Sequence, residues 1–317
     1  MRLYIQYSLN DSGKGRFLNR LIPALKKIGV KTQFKEKGAD VAMLLTRARD
    51  KFPKIPTVVR MDGITILDNK EERKRIKQKI LPSVNKCNAI IYQSEFCKYM
   101  LNGIFKPKVK KQYVIYNGAD PKEFDVKPVE SKYYRNVIMA AKWFDGKRFR
   151  DYKRLRQMWE CAVQYVNMQS GTTNFWIAGE TGGIEKNWPK HERVQFLGHL
   201  DDKTLKSYFK ASQIYFHMPW YSWCDNSLVE AISAGCMPVV SNNGGNSEVA
   251  EDCNGVVLNM DQKMRAKRTN NGAPPLNAYK VMEGINEGFN TMREVDQSPI
   301  HIDNIARKYK KVFEDLL

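Results

Sequence analysis

The sequence predicts an α/β protein built from two αβα units in tandem, and three observations support this fold class. Short apolar segments alternate with amphipathic ones, a pattern typical of parallel sheets covered by helices. The alternation stops in residues 117–136, a polar stretch with two prolines and no clear periodicity, and then begins again. A chain of 317 residues is long enough for two domains with separate cores.

The first half begins with the strand-like segment RLYIQYS, and a helix is expected next. The apolar residues Leu18, Leu21 and Leu25 fall on one face of that helix, together with Ile22. Pro23 lies inside it and is expected to mark a kink or an early turn. Further strand candidates are VAMLL, TVVRM, AIIYQS and YVIYN, with a strongly basic helix, KEERKRIKQKIL, between the second and third.

The second half repeats the alternation. Its strand candidates are NVIMAA, NFWIAG, VQFLG, IYFHM, CMPVVS and GVVLN, with helices expected at DDKTLKSYFKA and NSLVEAISAG. Residues 261–277 contain a Gly-Ala-Pro-Pro breaker and are expected to form an exposed loop. We therefore expect one domain at 1–128, a second at 129–300, and a closing helix at 301–317; one option is that this helix packs back on the first domain.

The stretch after the first strand, YSLNDSGKGRF, has two glycines and a lysine, as a phosphate-binding loop would. A Walker loop requires Ser or Thr directly after Gly-Lys, but Lys14 is followed by Gly15. A dinucleotide fingerprint requires three spaced glycines, and only Gly13 and Gly15 are present. The sequence thus excludes both common nucleotide-binding loops at this position.

Positive charge is concentrated in the first half of the chain. The net charge is +19, and residues 1–128 hold 28 Lys and Arg against 12 Asp and Glu, a net of +16. The remaining residues hold 25 against 22 and contribute only +3. A lysine-rich solvated surface is one explanation. The other is an anionic partner for the first half, such as nucleic acid, acidic lipid or a charged glycan.

Cysteine usage and hydropathy indicate the compartment. Six scattered cysteines with no CxxC pair, and no histidine at ligand spacing, favour reduced thiols and argue against zinc or disulfides. No run approaches the roughly 18 apolar residues needed to span a bilayer, and the N-terminus enters a strand pattern without a signal peptide. We expect a cytoplasmic protein, with peripheral membrane attachment as an option.

Three segments carry a resemblance to a known family: IIYQSEFCKYM to NGADPKEF (90–124), VIMAAKWFDGKR (137–148) and VQFLGH to GGNSEVA (194–250). In this order they resemble the family 4 glycosyltransferases, retaining enzymes of the GT-B fold that use nucleotide-sugar donors. The resemblance covers most of the chain, and 194–250 is its most specific part. It implies two Rossmann-like αβα domains facing each other across a cleft, with the acceptor bound by the first and the donor by the second.

Family members bind the donor diphosphate with an Arg and a Lys five residues later. Lys142 and Lys147 match these positions, with Arg148 or Lys153 as alternatives; a solvated basic helix start is the non-functional explanation. Lysine keeps the positive charge but loses the bidentate fork of arginine. A cation is needed here because the leaving diphosphate develops negative charge.

The family's acidic pair falls on Ser222 and Glu230. Glu230 matches the member that hydrogen-bonds the donor ribose, a task suited to a carboxylate because it accepts from two adjacent hydroxyls. Ser222 replaces the member near the donor sugar, so Asp225 or main-chain amides would supply those contacts. Asn226 and Ser227 fall at the N-terminus of the same helix, where backbone N–H groups suit a phosphate.

The resemblance implies further positions in the donor site and the cleft. Asp62 falls where the family has a residue facing donor sugar and acceptor, and Met61 stands where many relatives carry a histidine. The remaining positions are Gly244, Gly245 and Glu248 in a GGxxE turn, Phe196, Leu197 and Gly198 near the nucleobase, Gly179 and Thr181 in a glycine-bearing turn, and Gly13 and Gly15 in the loop across the cleft.

By resemblance, the reaction retains anomeric configuration without a protein nucleophile, and the departing phosphate takes the acceptor's proton. The chain has no DxD triplet, which agrees with a metal-independent site in which basic residues replace a metal. No permanently bound cofactor is implied; the substrate is a UDP-, GDP- or ADP-sugar, and the group transferred a hexose or pentose.

The acceptor stays open at this level. It is expected on an anionic glycan, lipid or membrane surface, reached through the basic segments KEERKRIKQK and KPKVKK. A modified base in DNA is the alternative, since it also requires a basic groove. A non-catalytic binding protein of the same fold is a second alternative, favoured by the departures at Lys142 and Ser222.

Overall fold

The chain forms two compact units in a computed structural model that describes residues 1–7, 12–66, 68–144, 151–169, 171–269, 272–291 and 294–317. The first unit comprises Met1–Asp120, Met264–Asn271 and Pro299–Leu317, and the second comprises Pro121–Lys263 and Gly272–Ser298. The domain boundaries expected after residues 128 and 300 stay predictions.

The first unit contains a six-stranded parallel sheet in the order β2-β1-β3-β4-β5-β6. Its strands are β1 (Arg2–Ile5), β2 (Lys31–Gln33), β3 (Val41–Leu45), β4 (Thr57–Met61), β5 (Ala89–Tyr92) and β6 (Lys111–Val114). The five strands expected from the sequence are confirmed. The sequence does not predict β2, because this short edge strand is not buried and has no apolar pattern.

The helices of this unit cover the sheet. They are α1 (Gly13–Lys27), α2 (Lys70–Arg75), α3 (Leu81–Lys86) and α4 (Glu95–Phe105), with one π turn (Ile76–Ile80) joining α2 to α3. α1 continues through Pro23, so the expected early turn is wrong. Pro23 is exposed, and the backbone carbonyl that loses its hydrogen bond there can be solvated.

The second unit repeats the architecture, with strand order β12-β11-β10-β7-β8-β9. All six expected strands are confirmed: β7 (Arg135–Ala140), β8 (Thr173–Ala178), β9 (Val194–Gly198), β10 (Ile214–His217), β11 (Met237–Ser241) and β12 (Val256–Leu258). The helices are α5 (Leu155–Met168), α6 (Asp202–Ala211), α7 (Asn226–Ser233), α8 (Gly245–Asp252) and α9 (Ala278–Asn290). The expected helices of this half correspond to α6 and α7.

The closing helix, α10 (Ile302–Glu314), completes the core of the first unit. Its buried residues Ile305, Tyr309 and Phe313 join the same apolar cluster as Phe17 and Leu21 of α1. The rings of Tyr309 and Phe17 lie 5.8 Å apart. Chain from the far end of the sequence thus covers the first sheet.

The segment that begins at Met264 also belongs to the first unit, although the chain directly before it belongs to the second. The backbone N–H of Thr269 donates to the carbonyl of Ile66 (3.0 Å), and that of Asp68 donates to the carbonyl of Thr269 (3.1 Å). Arg268 forms an ion pair with Asp68 at 3.2 Å. The described residues of 261–277 lie in no named helix or strand and many are exposed, as expected, and long-range backbone pairing at Thr269 gives part of this loop a fixed place.

Each of the six cysteines is buried with a free thiol. Within the ranges that the structure describes, no helix is long and apolar enough to cross a membrane.

The packing of α10 predicts the effect of a core truncation. Phe313→Ala removes a fully buried ring, so we expect the first unit to lose about 3–5 kcal/mol of unfolding free energy. Urea unfolding followed by circular dichroism measures this loss. Lys308→Ala, at an exposed position on the same helix, is the control and should stay within about 0.5 kcal/mol of wild type. Equal midpoints for the two variants would contradict the assignment of α10 to this core.

Candidate functional site

The expected donor residues of the second unit follow the carboxyl ends of its strands. Lys142 follows β7, Gly179 follows β8, Gly198 ends β9, and Gly244 follows β11. Because the strands are parallel, these ends lie at one edge of the sheet. β8 and β9 follow on one side of β7 and β10 to β12 on the other, so the strand order reverses beside β7. Ligands of open α/β sheets bind at such switch points.

Helix α7 begins directly at this edge, after Asp225. Asn226 and Ser227 form its first turn, as the sequence predicts. The Ser227 and Tyr215 hydroxyls lie 2.9 Å apart, and the Tyr215 hydroxyl donates to the carbonyl of Ala140 at 3.1 Å. Burial raises the pKa of Tyr215 well above its usual value, which keeps the phenol protonated as a donor. These contacts connect the start of α7 to β10 and β7.

Glu230 is 3% exposed and lies in α7 among the buried apolar residues Leu228, Val229, Ala231 and Ile232. A carboxylate is normally solvated, since burial of a charge costs free energy unless the charge is compensated. Glu230 lies one turn beyond the start of α7.

Ser222 closes the first turn of α8 and is 3% exposed. Its hydroxyl accepts from the backbone N–H of Asn246 (2.9 Å), and its carbonyl accepts from that of Gly245 (3.0 Å). Helix N-termini leave such N–H groups without intrahelical partners, and the hydroxyl satisfies one of them. The short side chain at position 222 therefore has a local structural reason.

Gly244 is required by the same contact. Its φ of 105° is one that side-chain-bearing residues rarely adopt, and a Cβ atom there would lie 2.4 Å from the Ser222 nitrogen. Gly245 begins α8, and Glu248 lies half-buried in its first turn. The GGxxE segment thus forms a tight turn into a helix at the carboxyl edge.

A polar cluster that the sequence predicts only in part lies beside this turn. The Asp225 carboxylate is 3.8 Å from the Lys153 ammonium and 3.6 Å from Nδ1 of His217. Asn246 Nδ2 is 3.4 Å from both Asp225 and His217, and its Oδ1 accepts from the Asp225 backbone N–H. Burial lowers the pKa of His217 to about 3, so its imidazole is neutral at physiological pH. Asn246 has no sequence signal of its own.

Of the two lysines expected to bind the diphosphate, the structure describes only one. Lys142 is exposed, whereas Lys147, like its alternative Arg148, lies outside the described residues. The other alternative, Lys153, is buried in the polar cluster. Lys153 therefore supplies a positive charge next to Asp225, the residue that precedes α7.

The turn after β8 is shaped by its own residues. Gly179 has a φ of 118°, and a Cβ atom there would collide with the Ala141 carbonyl. The buried Thr181 hydroxyl bonds Glu185 and accepts from the Gly183 N–H at 3.3 Å.

At the end of β9, Phe196 and Leu197 are half-buried and Gly198 is exposed. The Phe196 ring lies 5.8 Å from that of Trp188. The end of β9 therefore reaches the surface at this edge, where a flat base could be held.

In the first unit, Asp62 follows β4 and is surrounded by groups from three neighbouring strand ends. The Lys14 ammonium lies 3.2 Å from its carboxylate, the Thr46 hydroxyl donates at 3.2 Å, and Gln93 Nε2 donates at 3.0 Å. Arg60 forms a buried ion pair with the same group. Burial and the positive charge of Arg60 lower the pKa of Lys14 to about 8, although Asp62 is adjacent; the two cations share that single carboxylate.

Arg60 connects the cluster around Asp62 to helices α1 and α10. Its Nε donates to the Tyr309 hydroxyl at 2.8 Å, a second nitrogen bonds the Asn117 side chain, and the guanidinium stacks on Phe17 at 3.9 Å.

Gly13 and Gly15 do not lie in a loop, because both belong to the first turn of α1. Ser12 caps that helix by accepting from the Gly15 N–H at 3.3 Å. The expected glycine loop is corrected to a capped helix start. Across the described ranges, no group of three or more acidic, His or Cys side chains is arranged to hold a metal ion.

Comparisons with known proteins bear on this site. The family described as "Glycosyl transferases group 1" matches residues 145–269, and no protein of curated function matches the chain. A solved glycosyltransferase from Rickettsia africae ESF-5 is 14% identical, with a TM-score of 0.60 over 98% of this chain and 84% of that one. Sucrose-phosphate synthase from Thermosynechococcus elongatus is 12% identical, with a TM-score of 0.63 over 99% and 94%. Anabaena Alr3699/HepE, solved with UDP and glucose, is 13% identical, with a TM-score of 0.62 over 99% of both chains.

These structural matches confirm the predicted fold class: the chain has two Rossmann-like domains of the GT-B fold. The family match falls within the second half, and it includes Glu230 and the segment from Ser222 to Glu248. It supports a glycosyltransferase of group 1.

The buried His217 predicts a pH dependence of stability. Its pKa is about 3 in the folded chain and about 6.5 when unfolded, so between these values the unfolded state binds more protons. Stability should therefore fall as pH drops below 6.5, by about 1.4 kcal/mol per pH unit. His217→Gln lacks this contribution. Urea unfolding at pH 7.0 and 5.0 should show a smaller loss for the variant, and equal losses would contradict a neutral buried imidazole.

Proposed function

We propose that this chain is a retaining glycosyltransferase that moves a sugar from a nucleotide-diphosphate sugar to a hydroxyl acceptor. One observation carries the proposal. The segment matched by the glycosyltransferase family contains Glu230, a buried carboxylate in the helix that begins at the carboxyl edge of the second sheet. The structure of Anabaena Alr3699/HepE in complex with UDP-glucose adds support for a nucleotide-sugar donor.

The donor roles follow from the chemistry of this edge. Glu230 accepts hydrogen bonds from the two ribose hydroxyls. The N-terminus of α7 offers backbone N–H groups to a phosphate, and Lys153, with Lys142 and Lys147, supplies positive charge for the leaving diphosphate. We assign the sugar contacts left open by Ser222 to Asp225, and its contacts with Lys153 and Asn246 support this role.

The transfer balances without a protein nucleophile. The bond between the anomeric carbon and the donor phosphate oxygen breaks, and the acceptor oxygen bonds the same carbon on the same face. The acceptor's proton passes to the departing phosphate, giving a glycoside and a nucleoside diphosphate. Basic side chains take the charge-stabilising role that a divalent metal has in other transferases.

The acceptor side is assigned to the first unit, and the +16 charge of residues 1–128 favours an anionic acceptor or surface. We assign Asp62 to the acceptor side, as the family resemblance implies. We place the protein in the cytoplasm, with peripheral attachment to acidic lipid through the basic α2–α3 segment. A modified DNA base is the alternative that the same charge supports.

The role of Glu230 is tested by Glu230→Gln, which keeps the shape but removes the charge. Release of nucleotide from UDP-, GDP- and ADP-sugars is measured by chromatography. The best donor's KM should rise at least about 10-fold, because hydrogen bonds to a charged acceptor contribute roughly 1.5–3 kcal/mol. Glu251→Gln, exposed on α8, is the matched control and should behave as wild type. If wild type binds and hydrolyses none of these donors, the enzyme assignment fails and the non-catalytic alternative replaces it.

The stereochemistry is a separate prediction. With an α-linked donor, the product should be α-linked, because the acceptor attacks from the face that the phosphate leaves. Proton NMR of the glycoside product gives the coupling constant at the newly formed anomeric linkage. A β-linked product would contradict the retaining assignment while leaving the donor assignment intact.

The surface on which the acceptor lies is tested by binding. Flotation with liposomes that contain acidic lipid, but not with neutral ones, is the expected result. Tight salt-sensitive binding to duplex DNA without flotation would instead favour the modified-base alternative.

A further inference from the structure

A pocket of about 520 Å³ opens at the switch point of the first sheet. It is lined by Tyr4 to Tyr7 at the end of β1, Phe34 after β2, and Arg49 and Asp50 after β3. β2 lies on one side of β1 and β3 to β6 lie on the other, so the strand order reverses beside β1. Crevices at such points are the usual ligand sites of open α/β sheets, and the volume lies within the range for small-ligand pockets.

Arg49 is the charged recognition group of this pocket. Its guanidinium stacks on the Tyr7 ring at 4.0 Å, and its backbone N–H donates to the Gln6 side chain at 2.8 Å. Within the part of the chain that the structure describes, that guanidinium has no hydrogen-bond or ion-pair partner. A stacked guanidinium with free N–H groups is suited to bidentate binding of a phosphate or carboxylate.

The aromatic residues and Asp50 define the rest of the ligand. Phe34 is 51% exposed, unusual for a large ring, and it lines the pocket with Tyr4 and Tyr7. Aromatic faces offer apolar surface against which the C–H face of a sugar ring can pack. The Asp50 carboxylate can accept hydrogen bonds from sugar hydroxyls.

The pocket is linked to the cluster around Asp62 through the start of α1. The Tyr7 hydroxyl lies 3.0 Å from that of Ser12, which caps α1, and Lys14 in the first turn of α1 contacts Asp62 at 3.2 Å. Tyr7 thus connects the pocket, through Ser12, to the helix whose Lys14 contacts Asp62.

We infer that this pocket is the acceptor subsite, and that it takes a sugar ring carrying an oxyanion, a phosphate or a carboxylate, with the anion on Arg49 and the ring against Tyr7 and Phe34. The inference rests on the proposed function, whose substrate class it specifies. It selects a small anionic sugar over a DNA base.

Isothermal titration calorimetry of the full chain tests this with glucose 6-phosphate, glucuronic acid, glucose and inorganic phosphate. At least one of the two anionic sugars should bind more tightly than both glucose and inorganic phosphate, and their comparison identifies the anion. Arg49→Gln should weaken that binding about 10- to 100-fold. Arg307→Gln, exposed on α10, removes the same charge elsewhere and should leave it unchanged. Phe34→Ala should weaken binding of the sugar more than that of inorganic phosphate.

Donor hydrolysis without acceptor separates the two proposals. It should be unchanged in Arg49→Gln, whereas the KM for the anionic sugar as acceptor should rise. Any of four results would overturn the pocket assignment. Two are donor turnover with no preference for anionic sugars as acceptors, and anionic-sugar binding that is unchanged in Arg49→Gln. The others are binding of inorganic phosphate as tight as that of the anionic sugars, and bound ligand that only DNA oligonucleotides displace. Binding of anionic sugars without any donor turnover would instead overturn the proposed function and leave the pocket.

Discussion

All pairs between the named strands of both sheets are parallel, so the segments that follow the strands collect at one edge of each sheet. Residues distant in sequence, such as Lys14, Thr46, Asp62 and Gln93, meet for this reason alone. The same constraint brings the start of α7 and the start of α8 together in the second unit. Each candidate site depends on that shared direction, since an antiparallel strand would send its loop to the opposite edge.

Buried charges fix these edges in place. In the first unit, Arg60 connects Asp62 to α1 through Phe17 and to α10 through Tyr309. In the second, Arg154 and Asp261 form a buried bidentate pair next to Lys153 in the chain. Removal of one partner would leave an uncompensated charge, so such pairs hold neighbouring elements in a defined arrangement.

Two positions show how local stereochemistry and site chemistry combine. Ser222 departs from the acidic residue that the resemblance implies, and its hydroxyl and carbonyl complete the first turn of α8. Asp225 lies three residues later with Lys153, His217 and Asn246 around it. A carboxylate is thus kept at the edge, although it comes from another position.

The sequence by itself determined eleven of the twelve strands, the helices that carry Glu230 and the basic segment, and the concentration of charge in the first half, because periodicity and composition are local properties. It also indicated Glu230, through the resemblance of residues 194–250 to a known family. Only the tertiary structure decided that α10 and the segment from Met264 pack on the first unit, that Ser222 caps α8, and that Arg49 stacks on Tyr7 within a pocket. Those contacts join residues far apart in the chain, and their energies come from burial and pairing that no single segment contains.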